Sequence, residues 1–113
     1  MSFLLDGTWQ ITKALKGGIK VGEPARLEFS GDTFRRITDS STWVRRFKID
    51  ESNSPAWFTI YPETDPFKGE TLLGIVKVEG NTLSICHSSP GEPRPEVFHS
   101  PSDGEIVLSV SQR

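Results

Sequence analysis

The sequence predicts an all-β fold, a single antiparallel up-and-down β-barrel of about eight strands. Three observations predict it. Apolar and polar side chains alternate over short runs, and no long helical periodicity appears. Turn residues separate these runs at fairly even intervals. All eight prolines lie at or outside the ends of the runs, where they remove no hydrogen bond from a central strand.

The first half of the chain supplies three strands by this criterion. Residues 9–15 alternate in period two and end at Gly17-Gly18. Residues 25–30 alternate again, and Gly31-Asp32 then predicts a tight hairpin into residues 33–38. Each turn dipeptide contains the glycine that a tight hairpin turn favours.

Two further strands occupy the middle of the chain. The turn at 39–41 leads into residues 43–49, which alternate aromatic or aliphatic with basic side chains. Residues 53–55 break the chain, and residues 56–61 are rich in aromatic and β-branched side chains. The segment 62–69 carries two prolines and is predicted to be a loop.

The last three strands follow. Residues 70–78 form the longest apolar run, and Gly80-Asn81 turns it into residues 82–87. A proline-rich loop comes next, and Val97-Phe98 is a candidate for a short extra strand. The final strand covers residues 106–110. A sheet of eight strands that closes on itself has no exposed edge, and its interior is just filled by side chains or holds one small ligand.

Composition limits the classes of function. A length of 113 residues suits one domain, residues 1–113. A net charge of −2 provides no basic field for nucleic acid, and we expect no nucleic-acid or membrane partner. Asp6 ends the short apolar run at the N-terminus, so no signal peptide or transmembrane segment is predicted. Cys86 is the single cysteine of the chain. We therefore expect a cytoplasmic protein.

The two ends of the chain carry a resemblance to known proteins. Gly7-Thr8-Trp9 opens the first strand, and a Gly-x-Trp at this place is typical of the lipocalin and calycin superfamily. The resemblance implies that Trp9 closes one end of the barrel and that an arginine near the end of the last strand stacks on it. Arg113 is the arginine in that position, and such a cation over an indole contributes roughly 0.5–2 kcal/mol.

Further motifs occur in a fixed order along the chain. They are Phe29-x-Gly31-Asp32-x-Phe34, Lys68-Gly69-Glu70-Thr71-Leu72-Leu73-Gly74-Ile75, Gly80-Asn81-Thr82-Leu83-x-Ile85-Cys86, Gly91-Glu92-x-Arg94-Pro95 and Phe98. Together with Gly7-Thr8-Trp9, this order resembles the uncharacterised lipocalin-like domain family expanded in planctomycete-type bacteria. The resemblance covers nearly the whole chain and implies an antiparallel barrel. It implies no catalytic activity.

Two arginines are candidate ligand-binding residues. Neighbouring residues of a strand face opposite sides, so Arg36 shares a face with Phe34, and Arg45 shares one with Trp43 and Phe47. If the aromatic rings point inward, so do Arg36 and Arg45. A buried arginine needs a partner, which a carboxylate or phosphate of a ligand would supply. Solvation at an open rim, or pairing with Glu28 or Asp50, would also satisfy these arginines.

Aromatic residues complete the candidate pocket. With the two arginines, the predicted ligand-binding set is Arg36, Arg45, Trp43, Phe47, Trp57 and Tyr61. The alternative is that the aromatic residues of this set belong to the ordinary hydrophobic core.

No arrangement of residues predicts catalysis or a cofactor. His87 and His99 are expected at strand ends in solvent, and Cys86 as a small buried residue facing away from His87. The chain has no nucleophile elbow and no phosphate loop. The segment 89–95 is interpreted as a stiff connector, with a lid or a partner-docking loop as the alternative.

The functional hypothesis from the sequence is a noncatalytic binding module. Its ligand would be a small hydrophobic or amphipathic molecule inside the barrel, with Arg36 and Arg45 as anchors for an anionic group. The alternative is a protein-interaction or structural domain whose barrel is filled by its own side chains and takes no ligand.

Overall fold

The computed structural model describes residues 5–21, 24–65 and 67–113. These residues form strands and connecting loops. The strands are β1 (Gly7–Lys16), β2 (Ile19–Lys20), β3 (Arg26–Ser30), β4 (Thr33–Ile37), β5 (Thr42–Asp50), β6 (Ala56–Pro62), β7 (Leu72–Glu79), β8 (Thr82–His87) and β9 (Val107–Gln112). No helix of the described ranges has the length and apolar character needed to cross a membrane.

The strands form one antiparallel sheet that closes on itself. Its order is β2-β1-β3-β4-β5-β6-β7-β8-β9, and β1 also pairs with β9. The N-terminal part of β1 pairs with β3 through Gly7–Gln10, and the rest of β1 pairs with β9 through Gln10–Lys16. The predicted up-and-down barrel is therefore confirmed, with eight strands in its wall and β2 as an additional short strand.

Three two-residue hairpin turns match the predicted turn dipeptides. Gly31-Asp32 connects Ser30 to Thr33, and Gly80-Asn81 connects Glu79 to Thr82. Gly17-Gly18 connects Lys16 to Ile19, with φ angles of 60° and 75°. Two consecutive positive φ angles twist a hairpin in the sense that its strands require, and glycine adopts them without strain. This third hairpin produces β2, which the sequence analysis did not predict.

A register shift in β1 changes which of its side chains face inward. The pairing with β9 runs from Ile11 to Ser111 and then from Lys13 to Val110, so one residue of β1 is left without a partner. Such a bulge reverses the faces of the residues that follow it. Leu15 consequently packs on the outside of the barrel. The predicted uninterrupted alternation of residues 9–15 is wrong at this point.

The barrel has one core inside its wall and a second one outside it. The inner core is built from buried residues of the barrel strands and Leu5. On the outer side of β7, β8 and β9, Ile75, Cys86 and Leu108 form a separate buried cluster.

The segment between β8 and β9 covers this outer cluster. Phe98 and Ile106 pack against it, and within residues 88–106 the structure has turns and bends but no strand. The predicted extra strand at Val97-Phe98 is therefore wrong. Beyond the hydrogen bond from the Ser88 amide to the Leu73 carbonyl oxygen, no ladder pairing of this segment with the barrel is present in the described residues.

The closed end of the barrel lies beside Trp9. The Trp9 side chain is fully buried, and its Nε1 donates a hydrogen bond to the Leu5 carbonyl oxygen at 2.9 Å. The Arg113 guanidinium carbon lies 4.1 Å from the Trp9 ring centroid. Gly7 begins β1 opposite Phe29 with a φ of 120°, a conformation that favours glycine. The expected contact between Trp9 and Arg113 is present.

Candidate functional site

Four phenylalanines form a cluster of ring contacts inside the barrel. The phenylalanine plug consists of Phe29, Phe34, Phe47 and Phe58, with ring centroids 4.9 Å apart for Phe29 and Phe34 and 5.1 Å apart for Phe47 and Phe58. Phe34 also contacts Phe47 and Phe58 at 5.8 and 5.9 Å. Buried aliphatic side chains pack with these rings in the inner core.

A cavity of about 260 Å³ lies inside the barrel, on the side of the plug away from Trp9. Phe34 lines it, so the plug forms its floor. Exposed residues Lys16 and Val21 also line it, so it reaches the surface. The described lining residues are Ile11, Ala14, Lys16, Val21, Leu27, Phe34, Arg36, Trp43, Arg45, Ile60, Phe67, Ile85, His87, Val107 and Ser109.

The described walls of the cavity are mostly apolar and include three basic side chains. Three of its lining residues are the cations Lys16, Arg36 and Arg45, and none of the described lining residues is acidic. The whole chain carries a net charge of −2, so this concentration of positive charge is local to the cavity. A low-dielectric concavity lined by one sign of charge attracts ions of the opposite sign.

Arg45 is the most deeply placed of these cations. Arg45 is 7% exposed. Burial, together with repulsion from Arg36, lowers the pKa of its guanidinium to about 10. Its guanidinium carbon lies 5.0 Å from the Trp43 ring centroid. Within the described part of the chain it makes no hydrogen bond and no ion pair. A buried guanidinium without a partner is energetically costly, because the interior does not replace its hydration.

The two acidic partners considered from the sequence are engaged elsewhere. Glu28 pairs with Arg26 at 3.0 Å. Asp50 accepts hydrogen bonds from the backbone and the hydroxyl of Ser52, and these bonds lower the pKa of its carboxyl. Neither carboxylate contacts Arg45.

Arg36 on β4 and Trp43 on β5 are directly paired residues of these neighbouring strands. The Arg36 guanidinium carbon lies 4.7 Å from the Trp43 ring centroid. The Trp43 indole therefore lies close to both guanidinium groups of the cavity. Contact with an aromatic ring holds an arginine side chain in position.

His87, at the end of β8, also lines the cavity. Burial is the main reason that its pKa is lowered to about 4, and the charges of Arg45 and Lys16 lower it further. Its Nδ1 lies 3.1 Å from the Ser88 carbonyl oxygen. The imidazole is therefore neutral at pH 7. His87 ends β8, as expected, but it is half-buried and lines the cavity, whereas His99 is exposed as expected.

The structure divides the predicted ligand-binding residues into three groups. Arg36, Arg45 and Trp43 line the cavity. Phe47 faces inward but belongs to the plug. Trp57 and Tyr61 lie on the outer face of β6, because the alternate residues Phe58 and Ile60 are the ones that point inward. Their expected place in the pocket is therefore corrected.

Trp57 instead contacts the loop that follows β8. The Arg94 guanidinium carbon lies 4.4 Å from the Trp57 ring centroid. Arg94 also donates hydrogen bonds to the Gly74 carbonyl oxygen at 2.6 Å and to the Thr59 hydroxyl at 3.0 Å. These contacts fix the segment 89–95 to the outer wall, which favours the interpretation as a connector.

Other residues of chemical interest are dispersed. Cys86 is buried in the outer cluster, and burial raises the pKa of its thiol. It faces away from His87, as predicted. Over the described ranges no group of three or more His, Cys, Asp or Glu side chains could hold a metal ion.

Twelve of the fifteen described lining residues were not predicted as ligand-binding from the sequence, among them Lys16, Phe67, His87 and Ser109. His87 could have been found, because it shares the inward face of β8 with the buried residues Leu83 and Ile85. Lys16 could not, because it faces inward only after the bulge in β1.

Comparisons with protein-family models, curated proteins and solved structures find no match.

Proposed function

We propose that the chain is a noncatalytic binding module for a small amphipathic molecule with an anionic group. The anion would bind Arg45 and Arg36, and the apolar part would lie against Leu27, Ile60 and Ile85. The observation that carries this proposal is the Arg45 guanidinium, which is buried in a cavity and has no acidic or hydrogen-bonding partner in the described chain. A bound carboxylate would accept two parallel hydrogen bonds from it.

The geometry of the cavity supports a ligand of limited size. Ligand pockets have volumes of about 300–1,000 Å³ for drug-sized molecules. The observed 260 Å³ lies just below that range. Mostly apolar walls with a few convergent polar groups are typical of such pockets.

We further propose that the chain is a lipocalin-like domain of the family that its motifs resemble, and that it acts in the cytoplasm. The contact between Trp9 and Arg113 and the closed up-and-down barrel support the first proposal. The single cysteine, Cys86, is consistent with the second.

A structural or protein-interaction domain is the second candidate. The phenylalanine plug favours it, because one part of the barrel is filled by side chains as a purely structural barrel would be. Trp57, at 42% exposure on the outer face, would be a contact for a protein partner.

Two experiments decide between these functions. Native mass spectrometry of the protein isolated from its own host should show a co-purifying small anion rather than a partner chain. Isothermal titration with octanoate, octyl sulfate and palmitate should then detect binding of at least one anion, and Arg45→Ala should weaken it more than tenfold, a loss of about 1.4 kcal/mol. Arg46→Ala is the matched control, since Arg46 is exposed on the opposite face of the same strand. Unchanged affinity in Arg45→Ala would contradict the anchor role.

A further inference from the structure

Polar side chains enter the cavity from two groups of strands that lie across the barrel from each other. Arg36 is on β4 and Arg45 on β5, whereas His87 is on β8 and Ser109 on β9. In the closed ring of wall strands, β8 is four strands from β4 in either direction, and β9 is four strands from β5. Strands half a ring apart are on opposite walls of a barrel. The cavity therefore has a cationic wall and, across from it, a wall that carries the uncharged polar groups of His87 and Ser109.

His87 has a hydrogen-bond acceptor that the described chain does not use. Its Nδ1 lies 3.1 Å from the Ser88 carbonyl oxygen, which can only accept, so Nδ1 carries the ring proton. Because the ring is neutral at pH 7, its other nitrogen, Nε2, has a free lone pair. No donor among the described residues is hydrogen-bonded to Nε2. His87 is thus able to accept a hydrogen bond from a ligand.

Ser109 places a hydroxyl near this acceptor. It is directly paired with Ile85, and His87 is two residues further along β8 on the same face, so His87 and Ser109 are diagonal neighbours. The Ser109 hydroxyl also has no hydrogen-bond partner in the part of the chain that the structure describes. A serine hydroxyl both donates and accepts. Together the two side chains can accept one hydrogen bond from a ligand hydroxyl and donate another to it.

Lys16, the third cation of the cavity, does not replace Arg45 as the anion site. It ends β1, where it is paired with Val107 of β9. Lys16 is exposed, so water solvates its ammonium group, whereas Arg45 is buried. An anion gains more from pairing with the buried charge, because the attraction is less screened there. The anionic group therefore belongs on the cationic wall, at Arg45.

From these observations we propose that the ligand is an organic acid that also carries a hydroxyl group, with its anionic group at Arg45 and its hydroxyl at His87 and Ser109. This inference rests on the proposed function and specifies a second polar group of the same ligand. It predicts the sign of the effect of a hydroxyl. In an apolar pocket a hydroxyl weakens binding, because its lost hydration is not replaced. Where it meets a donor and an acceptor that have no other partner, it strengthens binding.

The test is isothermal titration of the full chain at pH 7 with two matched pairs of acids. One pair is octanoate and 8-hydroxyoctanoate, and the other is benzoate and 4-hydroxybenzoate. Within each pair the acids differ only by a hydroxyl at the end away from the carboxylate, on a flexible chain or on a rigid ring. In at least one pair the hydroxylated acid should bind more tightly by about fivefold or more, the effect of a net favourable hydrogen bond. Equal or weaker binding of the hydroxylated acid in both pairs would overturn the inference.

Substitutions on the neutral wall test where the hydroxyl binds. His87→Phe keeps a planar ring and removes the acceptor, so the preference for the hydroxylated acid should disappear while binding of its parent acid is retained. Ser109→Ala is the smaller change to use if His87→Phe does not give the parent β-sheet circular dichroism, and it should reduce the same preference. His99→Phe is the matched control, because His99 is exposed and does not line the cavity. A preference that persists in folded His87→Phe and Ser109→Ala variants would overturn the placement of the hydroxyl.

The outcomes separate the two proposals. If the acids bind and Arg45→Ala weakens them, but the hydroxyl brings no gain, the binding function stands and the inference falls. If none of the four acids binds, and octyl sulfate does not bind either, the proposed function falls together with the inference.

Discussion

The guanidinium of Arg113 lies over the indole of Trp9, with 4.1 Å between the guanidinium carbon and the ring centroid. The contact joins the last residue of the chain to the first strand, at the end of the barrel away from the cavity. The backbone supports it, because the Arg113 amide donates a hydrogen bond to the Asn81 carbonyl oxygen at 2.9 Å. Arg113 thus covers the one large aromatic side chain that closes the barrel.

Removing this cover should destabilise the closed end. We expect Arg113→Ala to lower the free energy of unfolding by about 0.5–2 kcal/mol, the range for a cation over an aromatic face. Urea denaturation followed by tryptophan fluorescence measures it. Arg46→Ala, an exposed arginine in mid-strand, should change stability by less than about 0.5 kcal/mol. Equal effects of the two substitutions would contradict a specific contact at Trp9.

A second prediction concerns Gly74, where two strands approach closely. A Cβ placed on Gly74 would lie 2.7 Å from the Cys86 carbonyl oxygen and 2.9 Å from the His87 Cβ. Gly74→Ala should therefore lower the free energy of unfolding by about 1–3 kcal/mol, as overpacking does. Gly104→Ala is the control, because a Cβ there meets nothing within 4 Å. If the Gly74→Ala variant were as stable as the Gly104→Ala variant, the barrel wall would accommodate the added methyl group at Gly74, and the prediction would be wrong.

The third prediction is a pH dependence of stability caused by His87. Its pKa is about 4 in the folded protein, against about 6.5 in an unfolded chain. Between these values the unfolded state binds more protons, so His87 stabilises the fold fully above pH 6.5 and progressively less as the pH falls to 4. The loss amounts to about 3 kcal/mol.

Chemical denaturation at pH 7, 5.5 and 4 measures this effect. His87→Gln should remove the part of the acid destabilisation that comes from this residue, and His99→Gln, at an exposed position, should leave it unchanged. If His87→Gln retained the full pH dependence of the parent protein, the imidazole would have to be solvated.

Strand positions and most turns could be predicted from the sequence, because they depend on local chemistry. Glycine at Gly31 and Gly80 permits the tight turns, and the period-two runs specify strands. Arg36 and Arg45 were identified as inward-facing because they share a face with phenylalanine and tryptophan. All of these depend only on residues near one another in the chain.

What could not be predicted depends on tertiary structure. Both faces of β6 carry aromatic residues, so the alternation alone could not decide whether Phe58 or Trp57 faces inward. The segment 88–106 covers the outside of β7 and β8, which explains why Ile75 and Cys86 are buried although they face away from the interior. The bulge in β1, which turns Lys16 towards the cavity, has no marker in the sequence.

Arg45 is a buried cation that no acidic residue of the described chain neutralises, and the proposed function depends on it. If Arg45 serves to bind an anion, its burial lowers the free energy of unfolding of the ligand-free protein. Replacing such a group with an apolar side chain of similar length should then stabilise the fold by about 1–3 kcal/mol.

The most direct test is therefore the free energy of unfolding of Arg45→Met without ligand, with octanoate affinity measured on the same sample. We predict that unfolding becomes more difficult while octanoate binding is lost, and that Arg46→Met changes neither property. A variant that is destabilised by about 1 kcal/mol or more, or that binds octanoate as the parent does, would contradict the claim that Arg45 serves a ligand.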